Sequence, residues 1–170
     1  MPYREADEFN TYLFHQGTAR SAYEYMGAHA ATHNGVDGYM FRVWAPRAQA
    51  VSVVGDFNSW DQAAHPMEKI TDGIWERFVP GGQTYDAYKF AVTGADGVVR
   101  LKADPYAFHA ETRPGTASKL YGIEGYHWND ASWRESRRAR PVYNAPLNIY
   151  EVHLGSWKRR ENGDFIDYRD

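Results

Sequence analysis

The sequence predicts an all-β fold, an antiparallel β-sandwich of short strands, and three observations predict it. Apolar residues alternate with polar ones from Gly38 onward in successive short runs. Turn-forming pairs (Asn34-Gly35, Asp37-Gly38, Asp72-Gly73, Asp96-Gly97) stand between those runs. Aromatic residues are abundant, with 13 Tyr, 8 Phe and 6 Trp, and such side chains favour strands. With 170 residues the chain is long enough for one domain with its own core plus further segments.

Taken in order, residues 1–35 read as an irregular lead that packs on the sandwich. Tyr12-Leu13-Phe14 is a short apolar knot followed by a turn at His15-Gln16-Gly17-Thr18. Residues 19–30 can form a short helix with Ala22, Tyr25 and Met26 on one side, ending near Gly27. Residues 36–110 carry the sandwich. Tyr39 to Trp44 alternates, with Phe41 and Val43 on one face and Met40, Arg42 and Trp44 on the other; Ala45-Pro46 ends the strand. Val51 to Val54 is a second strand closed by Gly55, and Ile74 to Val79 a third, bounded by Asp72-Gly73 and Pro80-Gly81-Gly82. Tyr85 to Thr93 is a fourth: Tyr88, Phe90 and Val92 share one face, Lys89 and Ala91 the other. Asp96-Gly97 turns into Val98 to Leu101 as a hairpin. Residues 103–146 lose the pattern and are broken by Pro105, Pro114, Pro141 and Pro146, and 111–146 read as a connection with one short helix from Ala131 to Arg140. Residues 147–170 open with a new β-run, Leu147 to Leu154.

Bulk properties exclude several classes. A net charge of −3 offers no uniform field for a polyanion, and the locally basic Trp133 to Arg140 reads as a solvated helix face, so no nucleic-acid partner is expected. The absence of cysteine removes disulfides, Cys-based zinc sites and thiol nucleophiles, and suits a reducing compartment. Met1 to Phe9 is acidic and broken by charge, unlike a signal peptide. No apolar run approaches the ~20 residues of a membrane-spanning helix. The expectation is a cytoplasmic protein without a membrane partner.

Several short motifs then fall in one order. Tyr12-Leu13-Phe14 with Gly17-Thr18, and Tyr25-Met26-Gly27-Ala28-His29, resemble the entry segment of 1,4-α-glucan (glycogen) branching enzymes. Phe41 to Pro46 and Val53-Val54-Gly55-Asp56-Phe57-Asn58-Ser59-Trp60-Asp61 resemble the first half of a family 48 carbohydrate-binding module. His65-Pro66-Met67, Gly73 to Glu76 and Tyr88-Lys89-Phe90 continue it. Lys102 to Ala107 and Arg113 to Ser118 narrow the resemblance to branching enzymes, and Ile149 to Trp157 resembles the first strand of a glycoside hydrolase family 13 barrel. The resemblance implies an immunoglobulin-like sandwich followed by the truncated start of a (β/α)8 barrel. A barrel takes ~250 residues, so at most its first strand fits here. The family cuts an α-1,4-glucan and transfers the freed end to a 6-hydroxyl, through a covalent intermediate on an Asp with a Glu as acid and base. Those carboxylates lie on later barrel strands, so no catalytic residue is expected in this chain.

What the resemblance implies for this chain is a glucan-binding or scaffold domain in glycogen biosynthesis. Its expected partners are an α-1,4-glucan (glycogen or a malto-oligosaccharide) and the catalytic barrel. The alternatives are a purely structural domain that touches no sugar, or the same module from a debranching or trehalose-forming relative. Trp60 either stacks on glucose, since a pyranose presents an apolar C–H face to an aromatic ring, or plugs the sandwich end. Lys89 either donates to sugar hydroxyls beside Trp60 or is a solvated strand lysine. Asn58 either bonds a hydroxyl pair or supports the turn backbone. Related modules place a second Trp after the Lys-bearing strand, where this hairpin reads Gly94-Ala95-Asp96-Gly97-Val98-Val99, so affinity should be weak.

Other candidate chemistry is not developed. His29 and His33, four apart, lack the adjacent Glu and third ligand of a helical zinc pair, so neither metal nor cofactor is expected. Glu151 and His153 share a strand face in a position the resemblance makes structural. Asp56, Asp61 and Glu68 are not placed across a scissile bond.

Overall fold

The computed structural model describes residues 8–140, 143 and 146–166. The reading of the first seven residues against a signal peptide, and the break at Pro141, lie outside the described residues. The chain divides into two compact units, Met1–Tyr126 and His127–Asp170.

The first unit is a sandwich of two antiparallel sheets. One orders its strands β1 (Gly27–His33), β2 (Val36–Trp44), β5 (Ile74–Pro80) and β4 (Glu68–Thr71). The other orders β3 (Ala50–Gly55), β6 (Ala87–Thr93), β9 (Ser118–Lys119) and β8 (His109–Ala110), with β7 (Val99–Lys102) also paired to β6. Alternation decides which side chains meet between the sheets. Phe41 and Val43 from β2, Val51 and Val53 from β3, and Tyr88 and Phe90 from β6 form one buried cluster with Trp75, Val79 and Leu120. The expected strand faces are those observed.

The outer face of the first sheet is also covered. Tyr25, Met26 and Ile74 make a second cluster, with Phe14 and Ile70 packed against it. Phe14 comes from helix α1 (Glu8–His15), which sequence reading took for a knot. The helix expected over 19–30 is corrected: only Ala22–Glu24 make a 3₁₀ turn, and Gly27–His33 is strand β1. Gly27 ends the turn with a φ of 95°, a left-handed value that glycine adopts at little cost. Pairing from Gly27 opposite Arg42 to His33 opposite Val36 then outweighs the helix preference of Ala and Met. His29 and His33 therefore sit on a strand. Strands β1 and β9 extend the sandwich on either side of residues 36–110.

Arg42 is buried on this covered face. Its Nε donates to Glu76 Oε2 at 2.5 Å, its Nη1 donates to the Tyr25 carbonyl at 3.1 Å, and its Cζ lies 4.5 Å from the Tyr25 ring centre. Tyr88 anchors a second buried polar set. Its hydroxyl donates to Asp104 Oδ2 at 2.6 Å, the Tyr106 N–H donates to Asp104 Oδ1 at 2.8 Å, and the Asp104 N–H donates to Ser118 Oγ at 2.8 Å.

Burial pushes the Asp104 carboxyl above the usual carboxylate range, and burial with the Asp104 charge pushes the Tyr88 phenol well above its ordinary value. An acid with a raised folded-state pKa keeps its proton in the folded chain after the unfolded chain has lost it. Its contribution to stability is therefore lost as pH rises from the unfolded value, about 3.9, through the folded one. In urea titrations from about pH 4 to pH 7, native stability should fall relative to Asp104→Asn. A constant difference across that range would count against the shift.

In the second unit, helix α2 (Ala131–Ala139) forms where expected and all its residues are exposed. The β-run expected over Leu147 to Leu154 is corrected. Residues 146–153 form no strand, and Leu154–Trp157 is a single turn, α3. Leu147, Ile149 and Tyr150 are largely exposed. An extended segment without a partner strand leaves its N–H and C=O groups to water. No barrel strand exists among the described residues.

Candidate glucan-binding face

Strand β3 ends at Gly55, opposite Tyr88 of β6, and the chain turns at once through Asp56–Asn58 as a 3₁₀ turn. Gly55 is required by close approach: a Cβ there would lie 2.5 Å from the Ala87 carbonyl oxygen and 2.8 Å from the Phe57 ring. Phe57 points inward and meets Phe41 at 5.7 Å between ring centres. Ser59 and Trp60 then take left-handed φ values of 54° and 62°, uncommon for residues with a Cβ. The Trp60 N–H returns to the Gly55 carbonyl at 3.0 Å. The loop thus folds back on the strand end and leaves the Trp60 indole 37% exposed.

Asp56 holds this arrangement together. Its Oδ1 accepts from Trp60 Nε1 at 3.0 Å, and its Oδ2 accepts from the Ala87 N–H at 2.8 Å. Asn58 is spent within the loop: Oδ1 accepts from the Gly55 N–H at 2.9 Å, and Nδ2 donates to the Val53 carbonyl at 2.9 Å. His65, which closes the segment by accepting from the Val53 N–H through its carbonyl, has its imidazole pushed below the ordinary value. Burial is the main cause and Arg77 adds to it, against an opposing pull from Asp61.

Lys89 stands opposite Val54 in register, one position from the Gly55–Tyr88 pair that anchors the Trp60 loop. Its side chain is on the outer face of the sheet, away from Tyr88 and Phe90, and Nζ donates to Thr116 Oγ1 at 2.6 Å. Thr116 is presented by a short loop in which the Ala117 N–H donates to Glu111 Oε2 at 2.8 Å. On the same face Leu101 pairs with Ala91 and is 47% exposed. The structure places Lys89 on the outer face of the sheet and Trp60 in the loop that leaves β3 just past its partner Val54, with Asn58 as loop support. Sequence reading missed Asp56 as the anchor of the indole, and Thr116 as the partner of Lys89.

The arrangement suits an uncharged polyhydroxylated ligand: an exposed indole face, an ammonium, a hydroxyl and an aliphatic patch, with no paired carboxylates. No group of three or more His, Asp or Glu among the described residues can hold a metal ion. No helix among them is long and apolar enough to cross a membrane.

Residues 25–107 match the model of carbohydrate-binding module 48 (isoamylase N-terminal domain). The chain is 49% identical over 164 residues to the 1,4-alpha-glucan branching enzyme GlgB of Halothermothrix orenii, covering 96% of this chain and 26% of that protein. Against GlgB of Bacillus subtilis it is 45% identical over 162 residues, covering 95% and 26%. It spans about a quarter of the length of these curated relatives. Among solved structures, pullulanase from Bacillus acidopullulyticus aligns at a TM-score of 0.47 with 25% identity, over 57% of this chain and 12% of that one. PulA from Klebsiella oxytoca aligns at 0.45 with 27% identity, over 61% and 10%. Residues 25–107 thus match the carbohydrate-binding module 48 family, in a chain similar along nearly its whole length to 1,4-alpha-glucan branching enzymes.

Proposed function

We propose that this chain is the α-1,4-glucan-binding domain of a cytoplasmic glycogen branching enzyme. The observation that carries the reading is the exposed Trp60, anchored by Asp56 in the loop that leaves β3 just past Val54, the partner of Lys89. A glucose ring stacks its C–H face on the indole. Lys89 turns from Thr116 to donate to sugar hydroxyls, and Leu101 offers aliphatic surface beside it. Asn58 enters through the loop it holds rather than by contact, since its amide already bonds Gly55 and Val53. Chain cleavage and transfer fall to a catalytic barrel outside this sequence, and the domain keeps a glucan close to it.

One stacking ring with one cation should give millimolar dissociation, roughly −4 kcal/mol. Titrating maltoheptaose while following Trp fluorescence should show saturable binding in the native chain and a loss of about tenfold or more in Trp60→Ala. Equal affinity in both chains would remove Trp60 from the site. No binding in either would leave a scaffold for the barrel.

A further inference from the structure

The sheet that carries Lys89 holds a second aromatic cluster on the same face. The pairing fixes this. Lys119 of β9 stands opposite both Ala87 of β6 and His109 of β8. Ala87 is two residues from Lys89, so Ala87, Lys119 and His109 share the Lys89 face. Beyond β6 the two chains stay paired: the Leu120 N–H donates to the Asp86 carbonyl at 2.9 Å and the Tyr85 N–H to the Leu120 carbonyl at 2.8 Å. Leu120 is fully buried in the core, so its neighbour Tyr121 lies on the outer face with Lys119.

Tyr85, His109 and Tyr121 meet there as a trio. Ring centres are 5.4 Å apart for Tyr85 and His109, 5.5 Å for Tyr85 and Tyr121, and 5.3 Å for His109 and Tyr121. The two tyrosine planes are inclined at 41°, giving a bent rather than flat platform. Tyr85 is 54% exposed and held at a φ of 77°, a left-handed value unusual for a tyrosine. Tyr121 also lines a cleft of ≈ 170 Å³ with Thr84, Phe108, His29 and Glu124. Every ring of the trio has an apolar face and a polar edge, which is the mixture a pyranose needs. Tyr85 lies in the turn that leads into β6, four residues before Lys89, and Lys119 stands opposite Ala87 between them.

We infer that Tyr85, His109 and Tyr121 form a second platform for the same glucan strand. The inference rests on the Trp60–Lys89 reading for its ligand class. A short oligosaccharide fills one platform; a longer one engages both, and its second contact is made at high effective concentration. The missing second tryptophan near the β6–β7 hairpin is offset by rings at the other end of the same face.

Two readouts test it on the 170-residue chain. Trp fluorescence titrations should show maltoheptaose binding the native chain about tenfold tighter than maltotriose, a ratio falling to about two in Tyr85→Ala/Tyr121→Ala. Independently, the His109 ring resonances should move on adding maltoheptaose, in the native chain and, at higher concentration, in Trp60→Ala. An unchanged ratio in the double variant, or His109 signals that stay still at saturating maltoheptaose, overturns the platform and leaves the face to a protein partner. If His109 moves while Trp60 fluorescence does not, the second platform stands and the Trp60 site fails.

Discussion

Replacing Glu76 with alanine should destabilise the sandwich by about 3–5 kcal/mol, because it removes the carboxylate that faces a buried guanidinium. The Arg42 side chain is 2% exposed and that of Glu76 18%. The two residues stand opposite each other on β2 and β5, so the pair is built by strand register, not by a flexible reach across the surface. The Tyr25 carbonyl and ring hold the other side of the guanidinium, and neither supplies a full negative charge. Glu68 stands opposite Glu76 on β4 and is exposed, so adding Glu68→Ala should deepen the loss if that carboxylate shifts toward Arg42. Urea unfolding measures both. The informative control is Arg42→Met/Glu76→Leu, which removes both charges and keeps apolar volume. Its loss should be far smaller, since a buried pair and its apolar replacement often come out nearly even. If the double replacement costs as much as Glu76→Ala alone, packing and not the lost ion pair is the source.

Arg42 also marks what was legible in the sequence. Strands β2, β3, β5 and β6 could be read because each buries a periodic apolar face, which Tyr88-Lys89-Phe90 prints directly, and the fully exposed β7 through the Asp96-Gly97 turn before it. The burial of Arg42 on the opposite face could not be read. It depends on Tyr25 and Glu76, which are 17 and 34 residues away. Strand β1 was missed because Gly-Ala-His-Ala-Ala-Thr-His has no apolar alternation; it is a strand only because β2 lies beside it. Strands β8 and β9 are two residues each and exist through pairing with β6 and each other. The reverse happened at Leu147 to Leu154, where composition says strand but no neighbour completes a ladder. The binding face divides in the same way. Trp60, Lys89 and Asn58 stood out through local motifs. Thr116 did not, because its link to Lys89 spans 27 residues and appears only when the sheet is assembled.

Asp56 is the sharpest case of that second kind, and its removal should affect stability and binding together. Its carboxylate bridges the loop to β6 across 31 residues through the Ala87 N–H, and fixes the indole four residues on. In Asp56→Ala the part-buried Ala87 N–H loses its acceptor, which should cost about 1–3 kcal/mol. The Trp60 indole N–H also loses its acceptor, and the left-handed backbone at Ser59 and Trp60 loses a restraint that opposes relaxation. The indole then samples orientations other than the one Asp56 fixes. Maltoheptaose affinity should fall to the level of Trp60→Ala even though Asp56 touches no sugar in the proposed arrangement. Asp56→Asn should recover part of the stability, because its carbonyl oxygen can still accept one bond. It should not recover full binding, because its amide hydrogens would face the remaining N–H donor. Combining Asp56→Ala with Trp60→Ala should add no further loss of affinity, as expected for two residues acting through one contact. Additive losses would mean that Asp56 meets the glucan itself, and native affinity in Asp56→Ala would mean that the indole holds its place without it.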